Sequence, residues 1–283
     1  MSRTPFFTCD LMGGIGNQMF QIAAIHGLSK QFDSDYGIIE GQFSGGGQCN
    51  HPSSYYDSIY KKVPRTSHLP SPISLHNEKR WTYYNMESEI RADLNSNKDL
   101  KGCMIHGYFQ SDRYFKDEQA VRELFTPEEG IPEFLKARSD LFVRYPELFS
   151  EHDFCFIGVR RGDYVERAHI HNPCEMNYYK NAMKLIPATK YYIASDDIAW
   201  CKEQFKGDQY VFFDIASDLH QLYAGCLFKN YIIGNSTFHW WMSFLSVYQS
   251  PTIIAPNKWV FGPNVKWEEY STIYRKGMIV LER

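Results

Sequence analysis

Nowhere in its 283 residues does the chain approach the roughly 20 continuous apolar residues that a helix needs to cross a bilayer, so no membrane span is expected. Behind Met1-Ser2-Arg3-Thr4-Pro5 there is no apolar signal core, and the expected compartment is the cytoplasm. Basic residues are not in excess: 30 Lys and Arg face 33 Asp and Glu, a formal net charge of −3. That balance leaves no long-range attraction for nucleic acid, and any anion site has to be local. No pair of the 7 cysteines stands in C-x-x-C spacing; an odd, scattered set reads as reduced thiols, with neither a disulfide framework nor a zinc site. No glycine is followed by the Lys and Ser or Thr of a Walker loop, and Gly14-Ile15-Gly16 lacks the third glycine of the dinucleotide fingerprint.

What remains is globular composition, 43% hydrophobic and 22% charged, with a length that suits one large or two modest domains. The second half has a clear rhythm. Apolar runs at Phe154 to Val159, Tyr191 to Ala194, Tyr210 to Phe213, Tyr231 to Ile233 and Thr252 to Ala255 alternate with helical patterns near Tyr178 to Ile186, Ile198 to Phe205, Leu219 to Phe228 and Phe238 to Tyr248. Strands alternating with helices imply a parallel sheet covered on both faces. Polar residues follow these runs: Arg160, Arg161 and Asp163 the first, Ser195 and Asp196 the second, Asn235, Ser236 and Thr237 the fourth. Carboxyl ends of strands are where open α/β sheets bind ligands.

The first half opens with a strand, Phe6 to Met12, a glycine turn through Gly14 and Gly16, and a helix whose first amides are Asn17 and Gln18. Such a turn serves packing as readily as binding; amides at a helix start favour contact with a sugar or phosphate. From Gly41 to about Arg80 the chain is rich in Gly, Ser, Pro, His and Tyr, and the triple glycine Gly45-Gly46-Gly47 argues for a long loop. The domain boundary is placed near Glu147 to Asp153, giving domains 1–150 and 151–283.

Each motif has a bland alternative. Paired arginines on a surface helix would be solvated charge, but at the end of a buried strand they read as a diphosphate cradle, because guanidinium is permanently charged and its fork fits phosphate oxygens two at a time. Arg161-Gly162-Asp163 spells an adhesion motif by chance. Asn235-Ser236-Thr237 matches a glycosylation sequon, yet reads better as a helix N-cap whose hydroxyls and N–H groups face a phosphate. The helix behind it, with Trp240 and Trp241, is apolar nearly all round and reads as core. Asp33-Ser34-Asp35 is a literal D-x-D without the preceding strand that a metal and nucleotide-sugar site needs, and reads as a solvated turn. Of Asp196 and Asp197, one suits a ribose or guanine edge and the other the cap of the next helix.

Together GGIGNQMFQ from Gly13, GYFQSDRYF from Gly107, VRRGDYV from Val159, YYIASDDIAWCKEQF from Tyr191, IIGNSTFHWW from Ile232 and IAPNKW from Ile254 resemble the α-1,2-fucosyltransferases, glycosyltransferase family 11, over nearly the whole chain. The resemblance implies an α/β GT-B architecture, two Rossmann-like domains facing a cleft, with an N-terminal acceptor-side domain and a C-terminal GDP-sugar-binding domain. It implies GDP-β-L-fucose as donor, a galactose-terminated glycan as acceptor at its 2-hydroxyl, inversion, and no metal or cofactor. By position Arg160 and Arg161 would hold the diphosphate, Asn17 would face the transferred sugar or acceptor, Ser236 and Thr237 would close on phosphate, and Asp218 would meet guanine. One departure stands out. The family usually has His two positions before the arginine pair, and here that position is Gly158, so the contact is missing or comes from elsewhere, for instance His169 or His171.

The expected chemistry is departure of GDP stabilised by the arginines and helix-end N–H groups, with in-line attack by an acceptor hydroxyl. A carboxylate takes the proton, Asp163 in preference to Glu166. The alternatives are a transferase for another GDP-linked sugar and a catalytically dead nucleotide-sugar or glycan-binding module. No pattern specifies an oligomeric state.

Overall fold

The computed structural model describes residues 5–45, 49–126, 131–150, 153–262 and 265–283. Gly46 and Gly47 of the triple glycine, the first four residues of the N-terminus, and residues 151 and 152 at the expected boundary lie outside the described residues. The chain divides into two compact units, Met1–Thr126 with Glu268–Ile273, and Pro127–Trp267 with Tyr274–Arg283. The division falls earlier than the change in patterning near Glu147.

In the first unit the elements are β1 (Phe6–Cys9), α1 (Ile15–Phe32), β2 (Ile38–Ile39), β3 (Arg65–Thr66), β4 (Ile73–Asn77), α2 (Glu87–Ser96), β5 (Gly102–His106) and α3 (Glu118–Phe125). Strands β1, β5 and β4 form a parallel three-stranded sheet with β5 in the middle. The stretch from Gly41 to Arg80 is therefore not one long loop. Strand β4 runs through it at the sheet edge, where only His76 of its residues is buried, so the apolar alternation that betrays a strand is missing. The D-x-D segment is a turn: Asp33 ends α1 in the left-handed conformation, φ 50°, and its N–H returns to Ser29 and Lys30 carbonyls.

The second unit runs α4 (Pro132–Arg144), β6 (Cys155–Val159), α5 (Gly162–Glu166), α6 (Ala168–His171), α7 (Met176–Leu185), β7 (Tyr191–Ser195), α8 (Ile198–Gln204), β8 (Tyr210–Phe212), α9 (Asp218–Gly225), β9 (Asn230–Ile233), α10 (Thr237–Phe244), β10 (Thr252–Pro256) and β11 (Ile279–Leu281). Its six-stranded sheet is parallel throughout, in the order β11-β10-β9-β6-β7-β8. Counted from β6, that is 3-2-1-4-5-6 read from the β8 edge, the doubly wound nucleotide-binding order, whose direction of winding reverses between β6 and β9. All five residues of β6 are buried, as a central strand covered on both faces requires. Helix α10 is apolar nearly all round because it too is buried: Trp240, Trp241 and Phe244 have no exposed surface, and Trp240 stacks on Phe244 at 5.3 Å. Each such side chain contributes about 1.5–3 kcal/mol by leaving water.

None of the seven cysteines is in a disulfide, and six are buried. Among the described residues no helix is long and apolar enough to cross a membrane.

Candidate functional site

At the reversal between β6 and β9, the last bond joining them runs from the Gly234 N–H to the Gly158 carbonyl, 2.8 Å. Beyond it both chains leave the sheet. Arg160 follows Val159, and Arg161 is the non-helical N-cap of α5. Open doubly wound sheets bind nucleotides at this reversal, and the structure puts both arginines there.

Acidic residues hold the guanidinium groups in place. Arg160 Nη2 lies 2.5 Å from Asp163 Oδ1 and its Nη1 2.9 Å from Asp196 Oδ2, while its guanidinium lies 5.0 Å from the centre of the Tyr164 ring. Arg161 donates from Nε to Asp197 Oδ2 at 3.2 Å and lies 4.0 Å over the Trp200 ring, and its backbone N–H donates to Asp196 Oδ1 at 2.8 Å. The Arg160 pairs are partly solvated, 36% exposed on the arginine and 43% on Asp163. Pairs of that exposure are worth about 0–1 kcal/mol, so they orient the fork without locking it away from a stronger anion. Arg161, over an indole and only 17% exposed, is held more firmly. Burial pushes the Tyr164 hydroxyl up to about 12, so the ring serves Arg160 as a neutral platform.

Ser195, at the end of β7, accepts the Asp197 N–H at 2.9 Å, and Asp197 caps α8 by accepting the Trp200 N–H at 3.1 Å, so the acid expected to cap a helix does so. Ser236 occupies the N-cap of α10 but its hydroxyl makes no capping bond, and Thr237 opens the helix. Asp218 opens α9 and accepts the Leu219 N–H. Asn235 departs from expectation. The residue is 2% exposed and its side-chain amide donates to the carbonyls of His171, 2.6 Å, and Trp259, 3.1 Å, so it ties the end of α6 to the segment after β10 and both side-chain N–H groups are already used.

In the first unit Gly14 is the N-cap of α1, Gly16 is buried in its first turn, and Asn17 is half-buried, accepting from Gln110 at 3.0 Å. Gln18, expected to offer its amide to a ligand, has none to spare: it donates to the Gly13 and Asn50 carbonyls and accepts from the Tyr60 hydroxyl. Gln21 likewise ties Met12 to Gly107. Gln21 and the Asn17–Gln110 bond thus tie the start of α1 to the segment from Gly107, while Gln18 ties the glycine turn to Asn50.

Neither histidine named as a possible substitute for the missing one fills the space beside Gly158. His171 stacks on Tyr164 with centroids 4.3 Å apart, and His169 is exposed on α6. The space beside Gly158 is filled instead by His239 of α10: a Cβ at 158 would stand 2.4 Å from its Cγ. Only the folded register of β6 against α10 reveals that pairing. Gly158→Ala is expected to cost about 1–3 kcal/mol of stability through this overlap; a urea midpoint equal to the unsubstituted protein's would show that the ring yields freely.

Among the described residues no cluster of three or more His, Cys, Asp or Glu is arranged to hold a metal ion.

Comparison with known proteins agrees with this geometry. The Glycosyl transferase family 11 matches residues 1–282. An alpha-1,2-colitosyltransferase of Escherichia coli is 28% identical over 271 residues, 88% of this chain and 90% of that protein. A galactoside 2-alpha-L-fucosyltransferase of Caenorhabditis elegans is 25% identical over 273 residues, 87% of this chain and 70% of the relative. The α-1,6-fucosyltransferase NodZ, in crystals soaked with GDP-fucose, superposes with a TM-score of 0.53 at 15% identity, covering 88% of this chain and 94% of NodZ; for NodZ from Bradyrhizobium the score is 0.52. The fold is GT-B, and the chain is a glycosyltransferase that belongs to glycosyl transferase family 11.

Proposed function

We propose that the chain transfers fucose from GDP-β-L-fucose to the 2-hydroxyl of a terminal sugar, galactose in the first instance, with inversion and without a metal. The observation that carries this reading is the arginine pair at the β6–β9 reversal of a nucleotide-binding sheet, its forks turned by Asp163, Asp196 and Asp197. Diphosphate charge grows as the sugar leaves, and donors already in place stabilise that charge more in the transition state than in the ground state. Ser236 and Thr237 add helix-end donors, Asp218 addresses the guanine, and Asn17 contacts the transferred sugar or the acceptor. Asp163 is the orienting partner of Arg160, and the proton acceptor is Glu166, exposed at the end of α5.

The donor sugar has a second reading. One relative is named for colitose and another for fucose, but both names specify transfer to a 2-position, which supports the linkage more firmly than the sugar. Incubation with GDP-fucose and with other GDP-sugars against a panel of glycans, read by mass spectrometry, tests both. A fucosylated product supports the first reading, another glycosylated product the second, and GDP binding without any turnover overturns both in favour of a binding module.

Activity is expected to survive EDTA, because guanidinium groups occupy the role that a divalent cation has elsewhere. Loss in chelator, restored by manganese or magnesium, would overturn the metal-independent mechanism.

A further inference from the structure

His239 and Gly158 share one volume. A Cβ built on Gly158 would lie 2.4 Å from Cγ, 2.5 Å from Nδ1 and 2.9 Å from Cδ2 of His239, so the imidazole stands where a side chain from β6 would project. It arrives there from the first turn of α10, the helix that follows β9, and therefore sits at the reversal of the sheet. The residue is 4% exposed, and its ring packs edge-on against Phe156 at 5.9 Å. Nδ1 is buried and has no hydrogen-bond partner among the described residues.

Packing alone does not account for a histidine here. A phenylalanine would fill the same space beside Phe156 without burying a polar nitrogen, and folded proteins leave few buried polar atoms unpaired. Burial first, and the nearby Arg160 charge second, hold the ring's pKa down to about 3, so it is neutral at any working pH. A neutral imidazole has one N–H donor and one lone pair, which suits a phosphate oxygen or a sugar hydroxyl.

We propose that the His239 imidazole, delivered from α10 into the space left by Gly158, hydrogen-bonds the sugar diphosphate held at Arg160 and Arg161. This rests on the GDP-sugar reading above and adds a donor contact that lies outside the strand-end motif. It also gives Gly158 a purpose: any side chain there displaces the ring.

Three variants test it, each checked by melting: His239→Phe, His239→Ala, and the relocated pair Gly158→His with His239→Ala. Donor kcat/KM and GDP affinity by calorimetry are the readouts. His239→Phe is expected to stay folded and to lose roughly tenfold to a hundredfold in kcat/KM, the size of a hydrogen bond to a charged group. The relocated pair, which returns an imidazole to the same space from the strand, is expected to regain most of what His239→Ala loses. Full kcat/KM in a folded His239→Phe overturns the proposal. So does a relocated pair that folds yet is no better than His239→Ala, a comparison that stands even if the Phe variant fails to fold. Unsubstituted protein that bound no GDP would overturn the GDP-sugar reading and this contact with it, whereas GDP binding with an indifferent Phe variant overturns the contact alone.

Discussion

Arg161→Lys is expected to lower turnover by roughly a hundredfold to a thousandfold, about 2.7–4 kcal/mol, the usual cost of removing one preorganised donor from a developing oxyanion. Charge is conserved in this variant, so electrostatic attraction at long range is untouched. What disappears is the planar fork, which bonds Asp197 from Nε and lies over the Trp200 ring at 4.0 Å, contacts that fix its remaining nitrogens. An ammonium is a compact, mobile point charge without that plane. Arg160→Ala is expected to be at least as damaging, and for a second reason. Asp163 and Asp196 both touch Arg160. Without the cation these carboxylates face an incoming diphosphate unopposed, so GDP affinity falls as well as turnover. Steady-state kinetics with calorimetry distinguishes the two variants: Arg161→Lys should lose mainly kcat, Arg160→Ala both kcat and GDP binding. Near-normal turnover in Arg161→Lys would mean that the fork holds the loop after β6 together and does not touch the leaving group.

How much of this was legible in the sequence follows from burial. Strands β6, β7, β9 and β10 announce themselves because central parallel strands are apolar at almost every position, as in the fully buried β6. Strand β4 shows only one buried residue and β11 none, so both pass for loop in composition. The arginine pair was legible for the same reason as its strand: charge following an uninterrupted apolar run is conspicuous. The partners of Asn235 were not legible, because a sequence does not reveal whether an amide faces outwards or spends its donors on the His171 and Trp259 carbonyls. In the sequence His239 passes for one more residue of an apolar helix. Its relation to Gly158 joins a strand to a helix 81 positions later (239 − 158), and no periodicity links them.

The proton acceptor is the other place where a large effect is expected, and magnitudes decide between two carboxylates three positions apart. Asp163 is close enough to Arg160 to be its ion-pair partner, and a base must give up such a partner or work against it, since a neighbouring cation favours the ionised form. The pair is partly solvated, however, and worth at most about 1 kcal/mol. Asp163→Asn should therefore cost only about fivefold in GDP affinity, through a less well oriented fork, and a comparable factor in transfer. Glu166 is exposed on α5, one helical turn beyond Asp163, and pairs with no cation among the described residues. Removing a general base costs roughly a hundredfold to ten-thousandfold. Glu166→Gln is accordingly expected to bind GDP normally, to lose at least a hundredfold in transfer, and to lose the acidic limb of its pH–rate profile. The two assignments exchange if the results do. Should Asp163→Asn keep its GDP affinity yet lose the acidic limb and most of its turnover, with Glu166→Gln close to normal, then Asp163 takes the proton in spite of its pairing with Arg160 at 2.5 Å.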